Sequence, residues 1–158
     1  MTVSHTRGDL YRAALESTAL GVRHNIETFR AAGGQIDRVV AVGGGTQGDL
    51  WTQIVSDVTG VEQVIPTQTI GASYGAAYLA AASVLDVSIS GWNPTARICR
   101  PNPKTRDNYQ ELYELYRAFY PATRDISHAL ARRQHELSAS TAEATAGDTQ
   151  PPRNEATS

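Results

Sequence analysis

The residues best suited to chemistry lie in the run Arg38-Val39-Val40-Ala41-Val42-Gly43-Gly44-Gly45-Thr46-Gln47-Gly48-Asp49-Leu50-Trp51, where an apolar strand runs into three glycines and a helix follows. Glycine has no Cβ, so its backbone takes left-handed conformations and approaches a ligand closely. A helix starting directly afterwards adds unpaired N–H groups and the positive end of its dipole, which together favour an anion such as a nucleotide phosphate. The same glycines also serve a plain strand-to-helix turn, because a glycine triplet alone is a weak motif. A P-loop is excluded: only Lys104 among the 14 basic residues is lysine, and it stands far from the glycines.

Other constellations carry less. Gly43, Gly45 and Gly48 fit the G-x-G-x-x-G pattern of dinucleotide-binding folds. Such folds place an acidic residue about 20 positions on, at the end of the second strand. Here that strand ends Ile65-Pro66-Thr67-Gln68, with Glu62 at its beginning, which counts against the pattern. His5, His24, His128 and His135 are scattered without metal-ligand spacing, so no metal ligand set is expected. Gly71-Ala72-Ser73-Tyr74-Gly75 is not the G-x-S-x-G elbow of a hydrolase, and Ser73 is expected within a helix. Asp9 and Glu16, seven apart, read as charges on a solvated helix face. Asp49 beside a phosphate would repel it unless the carboxylate faces away as a helix cap.

The elements that must position the glycines follow from periodicity. Thr6 and Asp9 form an approximate capping box. Tyr11, Leu15, Ala19, Val22, Ile26 and Phe29 then recur at helical steps, up to a stop at Gly33-Gly34. Arg38 to Val42 is a short strand, its continuous apolar run predicting burial on both faces. Trp51, Ile54, Val55 and Val58 line a second helix that Gly60 ends, and Val61 to Pro66 is a second strand with proline at its end. A third helix spans about Gly71 to Leu85, its small residues predicting close packing against a neighbour. Ser88 to Asp107, punctuated by Gly91, Pro94, Pro101 and Pro103, reads as surface loop. A long helix covers Asn108 to about Gln134, and Pro121 should kink or interrupt it. Its tyrosines read as packing residues, since no basic groove accompanies them. Ser138 to Ser158 lack Leu, Ile, Val and aromatic residues, so residues 136–158 are expected to be a disordered tail after a single domain.

Composition bounds the function. With 158 residues, 41% of them hydrophobic, the chain suits one ordinary core, and alternating strands and helices give an α/β class with parallel neighbours. A net charge of −2 offers no support for nucleic acid as a partner. Cys99, the single cysteine, excludes an internal disulfide and suits a reducing compartment. No basic, apolar leader opens the chain, and no window reaches the roughly 18 apolar residues of a membrane span, so no membrane is expected and the cytoplasm is the default.

Several blocks together resemble the FGGY carbohydrate kinases, xylulokinase-like members above all. They are Gly8-Asp9-Leu10-Tyr11-Arg12-Ala13-Ala14-Leu15-Glu16, Gly21-Val22-Arg23-His24-Asn25, Val40-Ala41-Val42-Gly43-Gly44-Gly45 and Leu50 to Gly60. Gly71 to Ala77 and Tyr113 to Asp125 fit the last segment of the same family, so the resemblance covers about residues 5 to 135. It implies a partial actin and hexokinase-like (ribonuclease H-like) ATPase domain, helix-strand-helix-strand-helix followed by a long C-terminal helix. It also implies transfer of the ATP γ-phosphoryl group to a sugar, a pentulose such as xylulose, in a cleft between two domains. The family's glycine turn contacts nucleotide phosphates and adenosine, which falls by motif on Gly43, Gly44 and Gly45. A neighbouring Ser or Asn contact falls on Gly48, where the side-chain hydrogen bond to adenosine is lost. The family's catalytic aspartate and its Mg²⁺-binding first domain lie upstream of the segment matched, so ATP and Mg²⁺ are implied as cofactors with the metal site outside this chain. No catalytic residue is expected here, nor turnover by the chain alone. Apolar helix faces that normally meet the absent part imply a partner chain or a homo-oligomer. The competing reading is a non-catalytic binding or oligomerisation module that keeps the fold without the ligand.

Overall fold

The computed structural model describes residues 2–36 and 38–147, with side chains up to 138. The chain falls into two compact units, Met1–Glu114 and Leu115–Ser158. The first unit opens with α1, Arg7–Ala31, whose start is a complete capping box. Asp9 N–H donates to Thr6 Oγ1 at 3.3 Å, and Thr6 N–H donates to Asp9 Oδ2 at 2.7 Å. Its end is a Schellman motif: Gly34 N–H reaches Phe29 O, Gly33 N–H reaches Arg30 O, and Gly33 takes φ +88°.

Three strands form the sheet in the order β1 (Val39–Val40), β2 (Gln63–Pro66), β3 (Thr95–Cys99). β1 and β2 are parallel, with Val39 opposite Gln63, and α2 (Asp49–Thr59) crosses between them. Gly60 ends α2 in the left-handed region at φ +68°. β3 is antiparallel to β2, and the register slips at Ile65/Pro66, where proline has no N–H to offer the ladder. This third strand corrects the expectation of a loop over Ser88 to Asp107. Flanking prolines at 94 and 101 hide five strand residues, Thr-Ala-Arg-Ile-Cys, and a short helix α4 (Ile89–Trp92) precedes them.

The core lies between α1, α2 and the start of α5 (Arg106–Gly147), joining Ala19 and Leu20 to Ile54, Val55, Val58, Tyr109 and Tyr113. Two expected members of the α1 face, Tyr11 and Phe29, are exposed instead. Above the core, Arg12 Nη2 donates to Tyr109 Oη at 3.0 Å, Tyr109 Oη donates to Glu16 Oε1 at 2.8 Å, and Arg12 Nε pairs with the same oxygen at 2.8 Å. Burial, and then the bond to Glu16, push the Tyr109 phenol above its ordinary pKa, so it stays neutral and a donor.

Two expectations of burial fail. β1 is an edge strand, and Val40 and Val42 are about half exposed rather than buried on both faces. α3 (Ala72–Ala82) has no buried residue, so its small-residue face is not the closely packed one expected. Tyr74 and Tyr78 lie against the Trp92 ring, with centroids 5.5 and 6.0 Å away.

In the second unit α5 continues through Pro121 without ending. One lost N–H and a ring clash cost about 3 kcal/mol, and strong helix-forming residues on both sides propagate the helix past it. It also runs beyond the expected end near Gln134 to Gly147. The expected tail therefore begins within helix at residues 136–147, and its remainder, residues 148–158, lies outside the described residues.

The cap of α1 has a pH signature. Bonds from the Thr6 N–H, and then from its hydroxyl, hold the Asp9 carboxyl below the ordinary aspartate pKa. A lowered folded-state pKa gives stability that is present above the unfolded value, about pH 4, and lost as pH falls through the folded value. Thermal unfolding from about pH 5 downward should show an acid-dependent loss in the parent that Asp9→Asn lacks; equal acid sensitivity in both would refute the assignment.

Candidate functional site: the glycine turn before α2

β1 delivers the chain to Gly43, whose N–H donates to Thr69 O at 2.6 Å, just as Ala41 N–H donates to Val64 O at 2.9 Å. Gly43 stands at φ +92°, a conformation that L side chains rarely adopt. A 3₁₀ turn, Gly44–Gln47, follows and leads through Gly48 into α2. Thr46, buried in the turn, closes it: its N–H and its hydroxyl both donate to Gly43 O, at 3.1 and 2.7 Å. Thr52 then folds its hydroxyl back onto Asp49 O at 3.1 Å.

The four glycines proposed from the sequence fall together, and their reasons for being glycine differ. Gly43 needs its positive φ. At Gly45 an added Cβ would lie 2.8 Å from the Trp51 indole, so close packing demands glycine there. At Gly44 and Gly48 an added Cβ meets nothing within 4 Å and φ is not positive, so neither space nor backbone within the chain requires glycine. The turn opens onto a cleft of about 340 Å³ walled by Tyr11, Leu15, Leu50 and Trp51.

Arg97 is the side chain that sequence reasoning missed, because β3 was read as loop. It reaches back to the turn, where Nη2 donates to Thr46 O at 3.1 Å and Nη1 pairs with Asp49 Oδ1 at 3.1 Å. Asp49 is 93% exposed, so in energy this pair is worth at most a fraction of a kcal/mol. Its consequence is electrostatic: the one carboxylate at the start of α2 is matched by a cation. Gly48, not Asp49, caps the helix, and no side chain bonds to its first N–H groups, which stay available to a ligand. Cys99 is buried with Sγ 3.5 Å from Gln53 Oε1. Ser73 sits on the exposed α3, and no group of three or more His, Cys, Asp or Glu able to hold a metal gathers among the described residues. No helix of the described residues is long and apolar enough to cross a membrane.

A parallel strand pair linked through a glycine turn and a crossover helix, with an antiparallel third strand and a long C-terminal helix, makes this a mixed α/β protein. The chain belongs to the FGGY family of carbohydrate kinases: the sequence model of that family's C-terminal domain matches residues 1–84, a stretch that includes the whole glycine turn. Among curated relatives, the xylulose kinase of Bacillus subtilis is 30% identical over 141 residues, covering 82% of this chain and 27% of its own. The ribulokinase of Mycolicibacterium smegmatis is 36% identical over 121 residues, covering 73% and 22%. Among solved structures, xylulose kinase from Rhodospirillum rubrum superposes with a TM-score of 0.71 at 30% identity, over 81% of this chain and 27% of the other. The chain thus spans about a quarter of the length of the relatives it matches.

The different demands on the glycines predict a split in stability. Gly43→Ala and Gly45→Ala should each lose about 1–3 kcal/mol, from left-handed strain and from overpacking against Trp51 respectively. Gly44→Ala and Gly48→Ala should stay within about 0.5 kcal/mol of the parent. Denaturant midpoints of the four variants measure this, and equal losses at all four positions would contradict the geometry.

Proposed function

We propose that this chain is the nucleotide-binding part of a carbohydrate kinase that phosphorylates a sugar with ATP, a pentulose such as xylulose, and that the chain alone does not turn over. One observation carries the reading: Gly44 and Gly48 are exposed glycines that the fold itself does not need. Space beside the first N–H groups of α2 is what a phosphate oxygen requires, and side chains at those positions would take it. Gly43, Gly44, Gly45 and Gly48 are therefore the binding residues, and the cleft of Tyr11, Leu50 and Trp51 offers an apolar wall to the nucleoside. Similarity to xylulose kinase and ribulokinase supports a five-carbon ketose as the sugar.

ATP supplies the phosphoryl group, and Mg²⁺ offsets its charge from a site outside this chain. What this chain contributes is positioning, the larger share of catalysis in phosphoryl transfer. Backbone amides orient the phosphates, and Arg97 keeps the Asp49 carboxylate paired so that it does not oppose the incoming anion. The base that accepts the sugar hydroxyl's proton belongs to the part of the kinase that this chain does not span. α3 supports the need for that part. Between Glu62 and Arg97 Asp86 is the single charged residue, and a helix apolar on all sides is one that belongs in a core.

Titration with ADP, followed by the backbone amides, should shift Gly43 to Gly48 selectively. Gly44→Ala, which leaves the fold intact, should weaken binding at least tenfold, or about 1.4 kcal/mol. Silence of those amides would favour the non-catalytic module. An ATP-dependent assay over pentuloses and pentoses should show no product; clear turnover overturns the inactivity of the lone chain. Light scattering should find the chain associated with itself or with a partner through the exposed α3 and β1 surfaces, and a strictly monomeric, soluble chain counts against it.

A further inference from the structure

At the other end of α2 the ends of α1 and α2 and the connection into α5 enclose a second cleft, of about 440 Å³, lined by Arg23, Arg30 and Arg106. Arg23 is committed to the wall. Its Nε pairs with Glu27 at 2.9 Å, its Nη1 donates to Val58 O and Tyr109 O at 3.3 Å each, its Nη2 donates to Gln110 Oε1, and its guanidinium lies 4.1 Å over the Tyr113 ring. The charge of Arg23 remains in the cleft while most of its donors are spent. Arg30 and Arg106 are exposed, and neither forms an ion pair or a side-chain hydrogen bond among the described residues.

Carboxylates in the cleft do not serve these two arginines. Glu27 is taken by Arg23, and Asp57 Oδ1 accepts the Asn102 N–H at 2.7 Å and Gln53 Nε2 at 2.8 Å. Three guanidiniums thus face two occupied carboxylates, and the two uncompensated ones come from different elements, the last turn of α1 and the first residue of α5. Gly60 lines the cleft without a side chain to fill it. Guanidinium forks match phosphate oxygens bidentately, and a concave site concentrates their field.

We infer that this cleft binds a small multivalent anion of the phosphate-ester or diphosphate class, gripped by Arg30 and Arg106 above the positive wall that Arg23 fixes. It is separate from the nucleotide reading, since Gly48 and Gly60 stand at opposite ends of an eleven-residue helix about 16 Å long.

Inorganic pyrophosphate, without added metal, is the probe. Its titration should saturate shifts of the Gly60, Asn102 and Arg106 amides. The Arg30→Gln/Arg106→Gln double variant should weaken that binding at least tenfold while the ADP response at Gly43 to Gly48 is unchanged. Arg30→Gln alone, on the exposed last turn of α1, should cost at least threefold and guards against misfolding of the double variant. Scattered or unsaturable shifts, a pyrophosphate response at Gly43 to Gly48 alone, or undiminished binding by the variants would overturn the site. Loss of the ADP response with pyrophosphate still bound at Gly60 would refute only the nucleotide reading.

Discussion

A single buried amide fixes α2 on the sheet, and the placing of the rest of the first unit depends on it. Gln63, 4% exposed on the central strand, donates through Nε2 to Thr52 O at 2.7 Å and to Ser56 Oγ at 2.8 Å, and Ser56 Oγ donates in turn to Cys99 O at 3.1 Å. One side chain therefore binds α2 to β2 and, through Ser56, to β3. Because an unpaired buried polar group costs about 1–3 kcal/mol, the network tolerates no partial version and fixes the rotation of α2 about its axis. With Thr52 and Ser56 directed at the sheet, Ile54, Val55 and Val58 join the core with α1 and α5. The same rotation sets where the helix begins, and so where Gly48 and the free amides of its first turn stand.

Apolar packing and polar linkage divide the work around α2. Towards α1 and α5 the contact is a hydrocarbon and aromatic cluster, ringed by Arg12, Glu16 and Tyr109 on one side and by Arg23 on the other. Towards the sheet it is a hydrogen-bond network that specifies position more than it adds stability. At α3 neither device operates: it buries nothing, and Trp92 Nε1, beside its tyrosines, is buried without a hydrogen-bond partner among the described residues.

Much of this was legible in the residues. Thr6 with Asp9, the glycine pair at 33 and 34, and Gly60 mark helix ends by mechanisms that depend on nearest neighbours only, and the structure uses each one. The order of the parallel unit and the place of the glycine turn followed from the same local logic. β3 was hidden because prolines on both sides outweigh five residues of strand preference, and with it went Arg97, whose reach to Thr46 spans 51 positions. Burial failed where it depends on partners: Val40, Val42 and the small residues of α3 carry the pattern of a core that the described residues do not supply. At Pro121 the interruption did not occur for the opposite reason, since a rule for one residue gave way to the cooperativity of a 42-residue helix.

The indole of Trp51 lies against the backbone of Gly45, so the turn carries its own optical label. The only other tryptophan, Trp92, sits in a separate aromatic cluster with Tyr74 and Tyr78. Any event that reshapes the glycine turn alters the surroundings of one of two fluorophores and leaves the second as an internal reference. The residue that obliges position 45 to be glycine thereby makes the conformation of that turn visible in the light the protein emits.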